Sequence, residues 1–96
     1  MKWDTECEWD ETKNAINIAK HKIGFAAIAG MQWDRMFFSD RTREYEGELR
    51  YAGVGLLNGK LHTVIFTWRG EKMRIISLRR SNNSEENAYE NYTKKS

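Results

Sequence analysis

The sequence predicts an α+β fold made of N-terminal helices, an antiparallel β-meander of three to four strands and a C-terminal helix. Three observations carry this: apolar residues at helical spacing early in the chain, strand-like runs from Arg35 onward, and the pair Asn58-Gly59 between two of those runs. Proline is absent, so turns fall to glycine and asparagine.

Asp10 suits the N-cap of a first helix running to about Lys22, because Ala15, Ile16, Ala19 and Ile23 recur at helical spacing as a narrow apolar stripe. Gly24 ends that helix, and Phe25 to Ala29 reads as a second short helix stopped at Gly30. Arg35 to Ser39 is a possible strand, 40–47 a charged loop and Glu48 to Leu57 a longer strand. Asn58 and Gly59 both tolerate the positive φ of a type I′ hairpin turn, which joins that strand to Lys60 to Trp68. A turn around Arg69, Gly70 and Glu71 returns the chain as Lys72 to Arg80, and such consecutive tight turns leave little room for parallel pairing. A period of two puts Arg74, Ile76, Leu78 and Arg80 on one face of the last strand and Met73, Ile75, Ser77 and Arg79 on the other. Asn82 or Asn83 caps a final helix, with Glu85 or Glu86 three residues on and Ala88, Tyr89 and Tyr92 as its apolar side, before a frayed tail over 94–96.

Ninety-six residues, 40% hydrophobic and 31% charged, fit one domain over residues 1–96. No run approaches the length needed to span a bilayer, and Met1 to Asp4 lack the apolar core of a signal peptide, so no membrane association and a cytoplasmic location are expected. A single cysteine excludes an internal disulfide, and two histidines are too few for an ordinary structural zinc site. The net charge of +2 hides a gradient: residues 1–12 carry one base and five acids, which leaves +6 on the remainder. Between Arg69 and Arg80 there are five bases and one acid, a density suited to nucleic acid or to a solvated strand edge.

Lys20-His21 is one candidate for chemistry, since an imidazole passes protons near neutral pH and an adjacent ammonium holds a phosphate; a surface role at a helix end is the alternative. Arg69, Arg74, Arg79 and Arg80, with Arg50 on a strand that can pair nearby, are a second, because guanidinium forks match phosphate oxygens; salt bridges to Glu48, Glu71 and Glu85 are the alternative. Trp33, Tyr45, Trp68 and Tyr89 offer rings for stacking unpaired bases or for the core. Glycine-rich phosphate loops and paired-histidine metal motifs are absent, and the acidic setting of Cys7 opposes thiolate formation. No metal and no cofactor are therefore expected.

In order along the chain stand Glu8-Trp9-Asp10 with Lys13, Asn17, and Lys20-His21 before Phe25; then Gly47-Glu48 with Arg50, Gly55 and Asn58-Gly59-Lys60. Thr67 with Arg69-Gly70, Arg74-Ile75-Ile76-Ser77 with Arg79-Arg80, and Glu85 with Tyr89 complete the set. This ordered set resembles the BrnT toxins of bacterial type II toxin-antitoxin systems, small RelE-like ribonucleases. The resemblance implies an RNA endonuclease that arrests growth. Its neutralising partner would be a ribbon-helix-helix antitoxin (BrnA-like), and operator DNA would be met only through that antitoxin. It also implies catalytic roles for His21, Glu48, Arg74, Arg79 and Arg80 and RNA binding by Lys20, Arg50 and Arg69. His21 or Glu48 would take a proton from the RNA 2′-hydroxyl while the arginines stabilise the phosphorane. Two positions depart from the family pattern: Lys22 stands where glycine usually follows the Lys-His pair, and Ser81-Asn82-Asn83-Ser84 replaces a basic run. The rival reading is a non-catalytic basic module that binds nucleic acid or a protein partner.

Overall fold

The computed structural model describes residues 6–39 and 41–94. The expectations for Met1 to Asp4 and for the last two residues lie outside that range. In chain order the elements are β1 (Cys7–Glu8), α1 (Glu11–His21), β2 (Phe37–Phe38), β3 (Arg43–Tyr45), β4 (Glu48–Leu57), β5 (Lys60–Arg69), β6 (Lys72–Arg80) and α2 (Asn83–Lys94). The class is α+β, but the architecture departs from a meander of three to four strands. All six strands form one mixed sheet in the order β1-β6-β5-β4-β2, with β3 also paired to β4. β1 runs parallel to β6, Cys7 opposite Met73 and Glu8 opposite Arg74. The chain makes this pairing by crossing from one edge of the sheet to its far side and returning, which tight turns alone do not reveal. Among the described residues only one N-terminal segment, α1, is α-helical; Phe25–Gly30 and Trp33–Arg35 are 3-10 turns. No helix among the described residues is long and apolar enough to cross a membrane.

The turn chemistry explains the antiparallel part. Asn58 and Gly59 adopt φ of 52° and 80°, the left-handed pair that a two-residue hairpin turn needs. Glu46 and Gly47, at 50° and 79°, make the same kind of turn between β3 and β4, so the charged loop read from the sequence is itself a hairpin. In the β5–β6 ladder the register slips: Ile65 faces Ser77 but Phe66 faces Ile75, leaving Ile76 without a partner. This bulge reverses the alternation beyond it. Met73, Ile75 and Leu78 are all buried in the core, and Arg80 follows them on that face opposite His62. Arg74 and Arg79 share the other face, correcting the regular-strand reading that grouped Arg74 with Arg80.

The core lies between the sheet and the segment after α1. Phe25, Ile28, Met31 and Met36 pack on Leu57, Val64, Phe66, Met73, Ile75 and Leu78. Phe66 is its hub, with Trp33 at 5.6 Å and Tyr51 stacked at 5.2 Å between ring centroids. A Cβ on Gly53 would collide with the Met36 sulfur. Gly53→Ala is expected to cost about 1–3 kcal/mol by overpacking, seen as a lower urea midpoint; an unchanged midpoint would mean that Met36 swings clear. α2 covers part of the opposite face, burying Tyr89 and setting Tyr92 against Phe37.

α1 docks in a way its apolar stripe does not foretell. Ile16 is 60% exposed, whereas Asn17, only 5% exposed, is the buried residue of the helix. The Asn17 amide donates to the carbonyls of Leu78 (2.8 Å) and Ile23 (2.9 Å) and accepts from the Leu78 N–H (3.2 Å). An edge strand presents unpaired backbone groups, so the helix face that meets it has to be polar. Asn14, one turn earlier, accepts from the Phe25 N–H at 2.8 Å.

Candidate active site

His21 closes α1, and its position follows from how the helix ends. Asp10 caps the start through the N–H groups of Thr12 (2.7 Å) and Lys13 (3.3 Å). Lys22 takes the left-handed φ of 63° and returns its N–H to the Ile18 carbonyl at 2.8 Å, so the helix stops at His21 and is capped by Lys22 itself rather than by Gly24. Lys22 thus adopts the conformation usually given to glycine. With Asn17 clamped to Leu78, the end of α1 is brought to the end of β6.

There His21, Lys22, Lys60, His62 and Arg80 line a cleft of about 500 Å³, together with Ile23, Ala27, Leu57 and Asn58. His62, 7% exposed, is the cross-strand partner of Arg80. Its Nδ1 lies 2.8 Å from the Lys60 carbonyl, which can only accept, so Nδ1 carries a proton and Nε2 is the atom that exchanges one. Partial burial, the Lys20 ammonium and the Arg79 guanidinium together hold the His21 imidazole below its ordinary value of 6.5. Two imidazoles beside three cations can move a proton in each direction next to a bound phosphate.

The other sequence candidates are placed elsewhere. Glu48 accepts from Arg69 Nε at 3.3 Å and lies 3.9 Å from Arg50 Nε, and these three form a corner on the opposite face of the sheet. Arg74 donates to Glu8 at 2.7 Å, holding β1 against β6. Arg79 grips Glu85 with both terminal nitrogens, at 2.8 and 2.7 Å. Glu85 in turn accepts from the Asn82 N–H while Asn82 accepts from the Glu85 N–H, both at 2.9 Å, a reciprocal cap that starts α2. The structure therefore gathers His21 and Arg80 in one cleft and carries the Arg79 charge to the neighbourhood of His21. Glu48, Arg50, Arg69 and Arg74 are outside that cleft. Cys7 has its thiol pushed up by burial and lines a separate, largely apolar cleft with Trp9 and Trp33.

The model of the family described as ribonuclease toxin, BrnT, of type II toxin-antitoxin systems matches residues 9–85. The chain belongs to the BrnT family. No curated protein sequence matches it significantly. The matched span runs from the residue before the α1 cap to Glu85, so it contains the whole His21 cleft, the β5–β6 bulge and the Arg79–Glu85 pair. The family is one of ribonuclease toxins paired with an antitoxin. Three residues of the cleft, Lys22, Lys60 and His62, were not among the site candidates read from the sequence. Counting back from the Gly70 turn in regular register sets His62 opposite Arg79; the bulge moves it opposite Arg80. Only the even spacing from the Asn58-Gly59 turn hinted that His62 faces inward.

Proposed function

We propose that this BrnT toxin cuts RNA internally by attack of a 2′-hydroxyl on the adjacent phosphorus, without a metal ion, in the cleft between α1 and the ends of β5 and β6. The observation that carries the reading is that His21, His62 and Arg80 line one cleft with Lys22 and Lys60. His21, held below ordinary histidine basicity, stays neutral at physiological pH and takes the 2′-hydroxyl proton. His62, its ring fixed through Nδ1, delivers a proton from Nε2 to the departing 5′-oxygen. Arg80 stabilises the phosphorane, and Lys20, Lys22 and Lys60 hold the flanking phosphates. A cleft walled by cations disfavours a divalent metal and favours an anion, which supports metal independence. Glu48, Arg50, Arg69 and Arg74 take no part in the chemical step, and Arg79 acts on it through its field at His21. The neutralising partner in this reading is a ribbon-helix-helix antitoxin.

Purified toxin given a labelled RNA with excess chelator is expected to yield 2′,3′-cyclic phosphate ends, and a single 2′-deoxy substitution at the scissile nucleotide to block the cut. Loss of cleavage on chelation, or cutting of the deoxy substrate, would overturn the mechanism. RNA binding with steep salt dependence and no products would instead favour a binding module.

A further inference from the structure

On the face of the sheet opposite the His21 cleft, Arg41, Arg43, Tyr45, Arg50 and Ile65 line a second cleft of about 690 Å³. Its charges are poorly balanced by the fold itself. Arg43 sits directly opposite Arg50 in the β3–β4 ladder, an arrangement in which like charges oppose pairing. The Arg50 guanidinium lies 4.4 Å over the Tyr45 ring, and its Nε is buried without a hydrogen-bond acceptor. Glu48, the nearest carboxylate, is 3.9 Å away and directed to Arg69 at 3.3 Å. A bound anion would relieve both the repulsion and the missing acceptor.

From this we infer that the arginine cleft is a docking site for an acidic, partly apolar peptide segment of a protein partner, with side-chain carboxylates on Arg41, Arg43 and Arg50 and an apolar residue on Ile65. Three features favour a peptide over RNA. The cleft is on the other face of the sheet from His21, and α1 closes the β6 edge between them. The adjoining hairpin carries Glu44, Glu46 and Glu48, which interrupt the basic surface that the evenly spaced charges of a phosphodiester chain would follow, whereas a peptide can place single carboxylates on the arginines alone. The floor is apolar at Ile65 and the Tyr45 ring is half exposed, which suits alternating acidic and aliphatic side chains better than a polyanion. This inference needs a protein partner; it does not need His21 and His62 to be catalytic.

The test uses a fluorescein-labelled twelve-residue peptide of alternating Glu and Leu, its Gln-Leu twin and a labelled RNA oligonucleotide, titrated in anisotropy against wild type and Arg41→Gln/Arg43→Gln. The expected result is binding of the acidic peptide alone of the two peptides, weakened about tenfold or more by the double substitution, with RNA binding and cleavage unchanged. A higher melting temperature of the free Arg43→Gln protein is also expected, since the like-charge pair is removed. Equal peptide binding by both proteins, no binding by wild type, or a groove variant that loses RNA instead of peptide would overturn the assignment. A lower melting temperature of Arg43→Gln would also do so, because it would make these arginines part of the fold's own stability.

Discussion

Arg79→Ala is expected to cost about 3–5 kcal/mol of folding stability, a large share of what a domain of this size possesses. The Glu85 side chain is 6% exposed and joins the Arg79 fork on β6 to the Asn82 cap of α2. Removing the guanidinium strands a buried carboxylate and loosens the start of α2. Burial would raise the Glu85 pKa, but the hydrogen bonds from Arg79, the Asn82 N–H and Thr63, with the Arg79 charge, bring it down to about 2 from an ordinary 4.5. Because the folded value is the lower one, the pair contributes in full above pH 4.5 and its contribution is lost as pH falls toward 2. That contribution is about 3 kcal/mol. Urea midpoints across this range are expected to fall for wild type and to respond much less to acid in Glu85→Gln, which retains the hydrogen-bonding shape without the charge. Equal midpoints for Arg79→Ala and wild type at pH 7 would show the fork to be dispensable.

His21→Ala is expected to slow RNA cleavage by about 10²–10⁴ with little change in KM or in the urea midpoint. His21 is partly exposed at a helix end, so in the proposed mechanism its loss removes chemistry rather than packing. The pH profile separates the two kinds of loss. With the His21 value held below 6.5, the acid limb of kcat/KM for wild type lies below that pH, and His21→Ala is expected to flatten it. A variant that lost activity but kept the same acid limb would assign the titrating group elsewhere.

Much of this fold was legible where local chemistry dictates it. The Asp10 cap, the Asn58-Gly59 hairpin, the three long strands and the Asn82–Glu85 cap are each written in a few neighbouring residues. What the sequence concealed depends on distant contacts. β1 is two residues long and pairs with β6 across the whole chain, so no periodicity announces it. β3 has all three side chains exposed and reads as loop. Ile75 and Ile76 are both apolar, so the bulge between the faces leaves no mark in the hydrophobic pattern, yet it decides which arginine meets His62. Nothing near Asn17 in the sequence announces its burial, because its partner is the backbone of Leu78, 61 residues away. His21 and Arg80 were legible as site candidates by residue type; Lys22 joins them through the α1 cap, Lys60 through the β4–β5 hairpin, and His62 meets Arg80 through the β5–β6 bulge.

The two basic faces of the sheet can be told apart by one comparison, the single-turnover cleavage rate of a labelled RNA by wild type, Arg80→Ala and Arg41→Gln/Arg43→Gln. A cut made in the His21 cleft predicts that Arg80→Ala loses about 10²–10³ in rate while the double variant keeps the wild-type rate. Full activity in Arg80→Ala, with the loss falling on the double variant, would contradict the account and place RNA cleavage on the opposite face.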